Sequence, residues 1–149
     1  MLIGGMGAVA LGSPSITNDL DICYERTREN LERLSRVLMR LGAKLRGAPA
    51  DLPFTPDAPT LAAGDHFTFA TDAGDFDCMG TPLGSRGYPD LAERAVLADM
   101  DGIEVSVASV DDLIRMKQAA GRPKDLIEVE VLGALRDELE RRKEQSGDT

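Results

Sequence analysis

With 149 residues, 42% of them apolar and 29% charged, the chain suits one packed domain and is short for two. Its 26 acidic against 17 basic side chains leave a formal net charge of −9, which argues against a surface that grips nucleic-acid phosphates throughout. Aromatics at 4% with no Trp argue against base-stacking platforms, and one His with two Cys is too few for a zinc ribbon or finger.

No run of 18 apolar residues occurs, so no membrane-spanning helix is expected. The apolar start, MLIGGMGAVALGSPS, lacks the basic stretch of a secretory signal and reads as structure. The expected location is the cytoplasm, with Cys23 and Cys78 as reduced, small core residues. Because the chain begins inside its first strand with no lead-in, an upstream segment is expected to be missing from this reading frame.

In chain order, Leu2 to Gly4 reads as the end of a strand and Gly5 to Leu11 as one or two helical turns, broken by Gly12-Ser13-Pro14. Asp19 to Tyr24 alternates polar and apolar, the period of a half-buried strand. Asn30 to Leu41 is a helix with Leu31, Leu34, Leu38 and Leu41 on one face, Thr27 as N-cap and Gly42 as its stop. Ala48 to Gly64 carries four prolines and reads as a loop or extended segment. His66 to Thr71 and Asp75 to Met79 are strands joined through Ala73-Gly74, and a short helix follows Pro89. Val96 to Met100 and Ile103 to Ala108 flank Asp101-Gly102, a hairpin signal. Ser109 caps a helix running to Ala120, Gly121 to Lys124 interrupts, and a last helix covers Asp125 to Lys143 with a solvated, fraying end. The order predicts a single α+β domain over 1–149, a mixed sheet with flanking helices over 1–108 and C-terminal helices over 109–149.

The sharpest chemical feature is Asp19-Leu20-Asp21. On a strand, residues two apart share a face, so both carboxylates project together and repel unless a cation neutralises them. Mg²⁺, which prefers oxygen ligands, suits such a pair; a strand edge with two solvated acids is the bland alternative. Asp75-Phe76-Asp77 repeats the pattern. If its strand lies beside Asp19–Tyr24, Asp77 adds a third carboxylate, and three carboxylates with a nucleoside triphosphate can hold two metals. Asp75 reads better as a turn residue. Gly12 and Ser13 offer small residues through which backbone N–H groups and a hydroxyl approach a phosphate, with Gly4-Gly5 as a second such turn. Lys117, with Arg122, Lys124 and Asp125, forms the basic counterpart, a clamp for triphosphate oxygens or else a solvated loop. His66, at a strand start with no obvious partner, reads as structural.

The stretch from Gly4 to Ile22 (GGMGAVALGSPSITNDLDI) resembles the nucleotidyltransferase fold of the DNA polymerase β-like superfamily, in particular the branch that includes AbiEii-type toxins. Asp111 to Lys117, followed by Gly121-Arg122-Pro123-Lys124-Asp125, resembles the C-terminal basic elements of that branch. The resemblance implies Asp19 and Asp21 as the metal-binding pair and Asp77 as the third carboxylate, which activates the acceptor. It implies Gly12 and Ser13 as phosphate contacts, and Lys117 and Lys124 as basic groups facing nucleotide phosphates or acceptor. The chain departs from the pattern at Ser15, where relatives carry a basic residue, and its C-terminal part is leaner. Two functions follow as expectations. One is an Mg²⁺-dependent transfer of NMP from an NTP to a hydroxyl of an RNA end, a protein or a small molecule. The other is a binding or regulatory component of a toxin–antitoxin-like system, with a protein partner and little turnover. An unrelated acidic domain, in which Asp19 and Asp21 lie far from Asp77, is the third reading.

Overall fold

The computed structural model describes residues 1–147. Seven strands form one mixed sheet: β1 (Leu2–Ile3), β2 (Leu20–Cys23), β3 (Lys44–Leu45), β4 (His66–Thr71), β5 (Gly74–Met79), β6 (Val96–Met100) and β7 (Ile103–Val107), in the spatial order β3-β4-β5-β2-β1-β7-β6. The helices are α1 (Gly4–Ala10), α2 (Arg28–Arg40), α3 (Ala58–Ala63), α4 (Tyr88–Ala92), α5 (Val110–Ala120) and α6 (Pro123–Gly147). This is the α+β architecture that the order of elements predicts.

At the centre, β2 runs parallel to β5 and antiparallel to β1, while β1 runs parallel to β7. Strand alternation divides the core in two. Ile3, Cys23, Ala108 and their neighbours pack with Leu91, Leu113, Ile114, Met116 and Leu132, from α4, α5 and α6, on one face. Phe69, Phe76 and Cys78 pack with Leu31, Leu38 and Leu61, from α2 and α3, on the other. The first face carries the site and is called the cleft face below.

Local chemistry explains most boundaries. The Thr27 hydroxyl accepts from the Asn30 N–H at 3.3 Å and starts α2, and Gly42 follows it in the left-handed region. Ser109 caps α5 through the Asp112 N–H at 3.1 Å. Asp101 and Gly102, both at positive φ, turn the β6–β7 hairpin.

Three elements differ from expectation. The proline-rich stretch contains α3, because Asp57 caps it by accepting from Thr60 N–H at 2.9 Å and Pro59 sits in its first turn, where no donor is needed. Strand β3 is too short to show a period. Helix α6 starts at Pro123 rather than Asp125 and continues to Gly147 rather than fraying after Lys143. Glu138, paired with Arg141 and Arg142 one turn on, supports its last turns. The expected frayed end also includes Asp148 and Thr149, which lie outside the described residues.

Candidate active site

Asp21 and Asp77 are direct partners across the parallel β2–β5 pair, so their backbones are about 4.8 Å apart and their side chains share the cleft face. The reading in which the aspartates are scattered therefore fails for this pair. Asp19, two residues before Asp21, lies just before β2 and is exposed. Burial raises the Asp21 carboxyl above its usual range, and the charges of Asp77 and Asp19 push it the same way, against Lys117 and His66.

Gly4 makes room for this carboxylate. It opens α1 at φ +63°, and a Cβ there would strike Asp21 Oδ2. The small-residue turn next to the aspartates is thus Gly4-Gly5. Gly12 and Ser13 follow the opposite end of α1, where Gly12 faces Leu135 of α6. The Ser13 hydroxyl is occupied locally, at 3.0 Å from the Ser15 hydroxyl and 3.2 Å from its N–H. Neither residue lines the cleft, and nor does Lys124, which is exposed in the first turn of α6.

The cleft has a volume of about 570 Å³ and lies between Asp21, α5, the start of α6 and the segment after β5. Ile3, Met79, Leu83, Leu113 and Met116 give it apolar walls; Asp21, Asp65, Asp125, Lys117 and Arg122 give it charge, and His66 lines it as well. Such a volume is in the range that encloses one small-molecule ligand.

Lys117, at 18% side-chain exposure, holds Glu128 Oε2 at 2.6 Å and Asp125 Oδ1 at 3.5 Å. Asp125 is fully buried, and Arg122 grips it through Nε at 2.6 Å, Nη2 at 3.2 Å and its backbone N–H at 3.1 Å. These bonds hold the Asp125 carboxyl below its usual range. They also close the start of α6, since a side chain in the first turn reaches back to the N–H that precedes the helix.

Asp77 is compensated differently. Arg46, the residue after β3, places Nη2 at 2.7 Å from Asp77 Oδ1 and Nη1 at 3.2 Å from Asp75 Oδ2. Asp75 is therefore a strand residue in an ion pair and not the turn residue expected. Arg46 carried no signal in the sequence, because its role depends on the β3–β4–β5 register.

The fold is similar to that of the lincosamide antibiotic adenylyltransferase LnuA, whose crystal structure has lincomycin bound. The TM-score is 0.58, with 12% sequence identity over 90% of this chain and 85% of that one. The chain has a nucleotidyltransferase fold. No protein-family profile and no curated protein matches the sequence.

On this nucleotidyltransferase fold, the donor chemistry fits a hard divalent cation. Crowded, half-buried carboxylate oxygens gather at Asp21 and Asp77, and Gly4 leaves the Asp21 oxygens uncovered. Among the described residues, no three His, Cys, Asp or Glu side chains are already grouped to hold an ion. Arg46 engages one oxygen of Asp77. No helix among the described residues is long and apolar enough to cross a membrane.

Proposed function

We propose that the protein is an Mg²⁺-dependent nucleotidyltransferase that moves NMP from an NTP to a hydroxyl acceptor. The observation that carries the reading is the Asp21–Asp77 cross-strand pair on a nucleotidyltransferase fold, of which Asp21 lines a cleft walled by Lys117 and Arg122 while Asp77 lies beside it on the next strand. Asp19, Asp21 and Asp77 would hold the ion, which when bound lowers the pKa of the attacking hydroxyl and stabilises the leaving pyrophosphate.

The acceptor oxygen forms a bond to the α-phosphorus, the bond from that phosphorus to the pyrophosphate oxygen breaks, and the hydroxyl proton passes to Asp77 and on to solvent. Lys117 and Arg122 bind phosphate oxygens from the opposite wall. Asp125 holds both in place, at 3.5 Å from Lys117 and 2.6 Å from Arg122, so phosphate oxygens share or replace these internal partners. Gly12, Ser13 and Lys124 reach phosphate or acceptor only if the segments that carry them move. The apolar walls favour a small-molecule acceptor over an RNA end or a protein, in line with the antibiotic bound by the structural neighbour. The protein acts in the cytoplasm on this reading.

The test is a thermal shift with each of the four NTPs, with and without Mg²⁺, on wild type and Asp21→Asn. A ligand at a hundred times its Kd adds about 2.7 kcal/mol to stability. The expected result is an Mg²⁺-dependent shift for at least one NTP that vanishes in the variant. A well-folded wild type that shifts with none of them sinks the proposal.

One observation favours the second reading, a regulatory or binding component of the AbiEii toxin–antitoxin type. Lys117 and Asp77 are both already paired within the chain, so binding an NTP must compete with internal partners. On that reading, Asp21→Asn leaves function intact and only a change at a partner interface abolishes it.

A further inference from the structure

The mechanism above makes no use of Arg46, although it holds the shortest contact to Asp77. Its backbone N–H donates to Thr68 O at 2.9 Å and Nη1 reaches Phe69 O at 3.5 Å, so its backbone and its guanidinium are both tied to β4. In the β4–β5 register, Thr68 and Ala70 oppose Asp77 and Asp75. Both are small, which leaves a path across the strand for the guanidinium.

A guanidinium carries a fixed positive charge and a planar fork of donors. Here the fork spans two carboxylates, with 2.7 Å to Asp77 and 3.2 Å to Asp75. A divalent ion approaching Asp77 meets a cation already in hydrogen-bond contact with it. The Lys117 and Arg122 ammonium and guanidinium groups are committed to Asp125 and Glu128 and leave Asp21 without such a partner.

Resting on the nucleotidyltransferase reading, we propose that Arg46 replaces one of the two divalent cations that three carboxylates and a triphosphate could hold. The site then takes one divalent ion, from the Asp19–Asp21 side, and the guanidinium supplies the remaining positive charge at Asp77. Arg46 is in this sense a positioning residue whose signature is metal stoichiometry rather than rate alone.

The experiment counts Mn²⁺ bound per full-length chain by electron paramagnetic resonance, with a saturating non-hydrolysable NTP analogue. It compares wild type with Arg46→Lys, Arg46→Gln and Arg46→Met. The last keeps an aliphatic stem across β4, and circular dichroism checks that each variant is folded. One ion is expected for wild type and Arg46→Lys, and two for Arg46→Gln and Arg46→Met. Two ions on wild type, or one on both folded neutral variants, overturns the proposal. No Mn²⁺ on any form, with Asp21→Asn indistinguishable from wild type, overturns the nucleotidyltransferase reading along with it; the two-ion result overturns only the role of Arg46.

Discussion

At Asp21 the demands of the fold and of the site oppose each other. Burial and the neighbouring Asp77 and Asp19 disfavour its charged form, so its carboxyl titrates above the ordinary range. Below that range the group is protonated in both folded and unfolded chains and has no effect. As pH rises through the ordinary value and then the raised one, the folded state carries a growing penalty. Asp21→Asn is therefore expected to raise the melting temperature of the ligand-free protein at neutral pH while abolishing the Mg²⁺-dependent shift; calorimetry at pH 4 and pH 7 checks both halves. Asp90 has the opposite sign. Buried under Arg86, Arg94 and Arg115, its carboxyl is held well below the usual range. Its contribution is complete above the ordinary carboxylate value and is lost as pH falls below it. Asp90→Asn is expected to flatten the acid limb of the stability profile, measured as urea midpoints between pH 2 and pH 6. Gly4→Ala places a side chain at a left-handed position and against Asp21. It is expected to cost about 1–2 kcal/mol from the backbone alone, and more from the contact, and to remove the NTP-dependent shift.

Among the elements, α2 offers a clean test of local coding. Thr27→Ala removes the side-chain N-cap of α2, on a face away from the cleft. It should cost about 1 kcal/mol and leave the ligand-dependent thermal shift unchanged. Such elements were legible because their signals are local: a cap, an apolar face, an Asp-Gly turn, two alternating Asp-x-Asp strands. What was not legible depends on distant partners. Strand β3 exists because Lys44 and Leu45 find Ala70 and Phe69, and Arg46 reaches Asp77 only through that pairing. The two small-residue pairs flanking α1 look alike in sequence. Which of them meets the aspartates is set by β1 running antiparallel to β2, which returns Asp21 to Ile3 and Gly4. His66 has no partner nearby in sequence for a similar reason: the segments that give it a cleft to line are β2, the residues after β5, and α5.

For the molecule as a whole, the two-sided sheet separates stability from binding. Leu132 anchors α6 on the cleft face, and Leu38 anchors α2 on the other. Leu132→Ala and Leu38→Ala should each cost about 2–5 kcal/mol. Only Leu132→Ala is expected to reduce the NTP-dependent shift, because only α6 carries Asp125 and Glu128, which orient Lys117 and Arg122. Thermal melts of both variants with and without ligand provide the comparison, and equal loss of the shift in both would refute the separation.

The same two-sidedness gives the chain a pair of built-in reporters. Cys23 and Cys78 are fully buried on adjacent strands but on opposite faces, with thiols pushed up to about 11 and about 12. A thiol reagent reaches neither until the layer above it opens, and the two layers are different. Labelling kinetics followed by mass spectrometry would thus time the opening of the α5–α6 layer through Cys23 and of the α2–α3 layer through Cys78, in one sample and without an added probe. A ligand in the cleft should slow the first clock much more than the second.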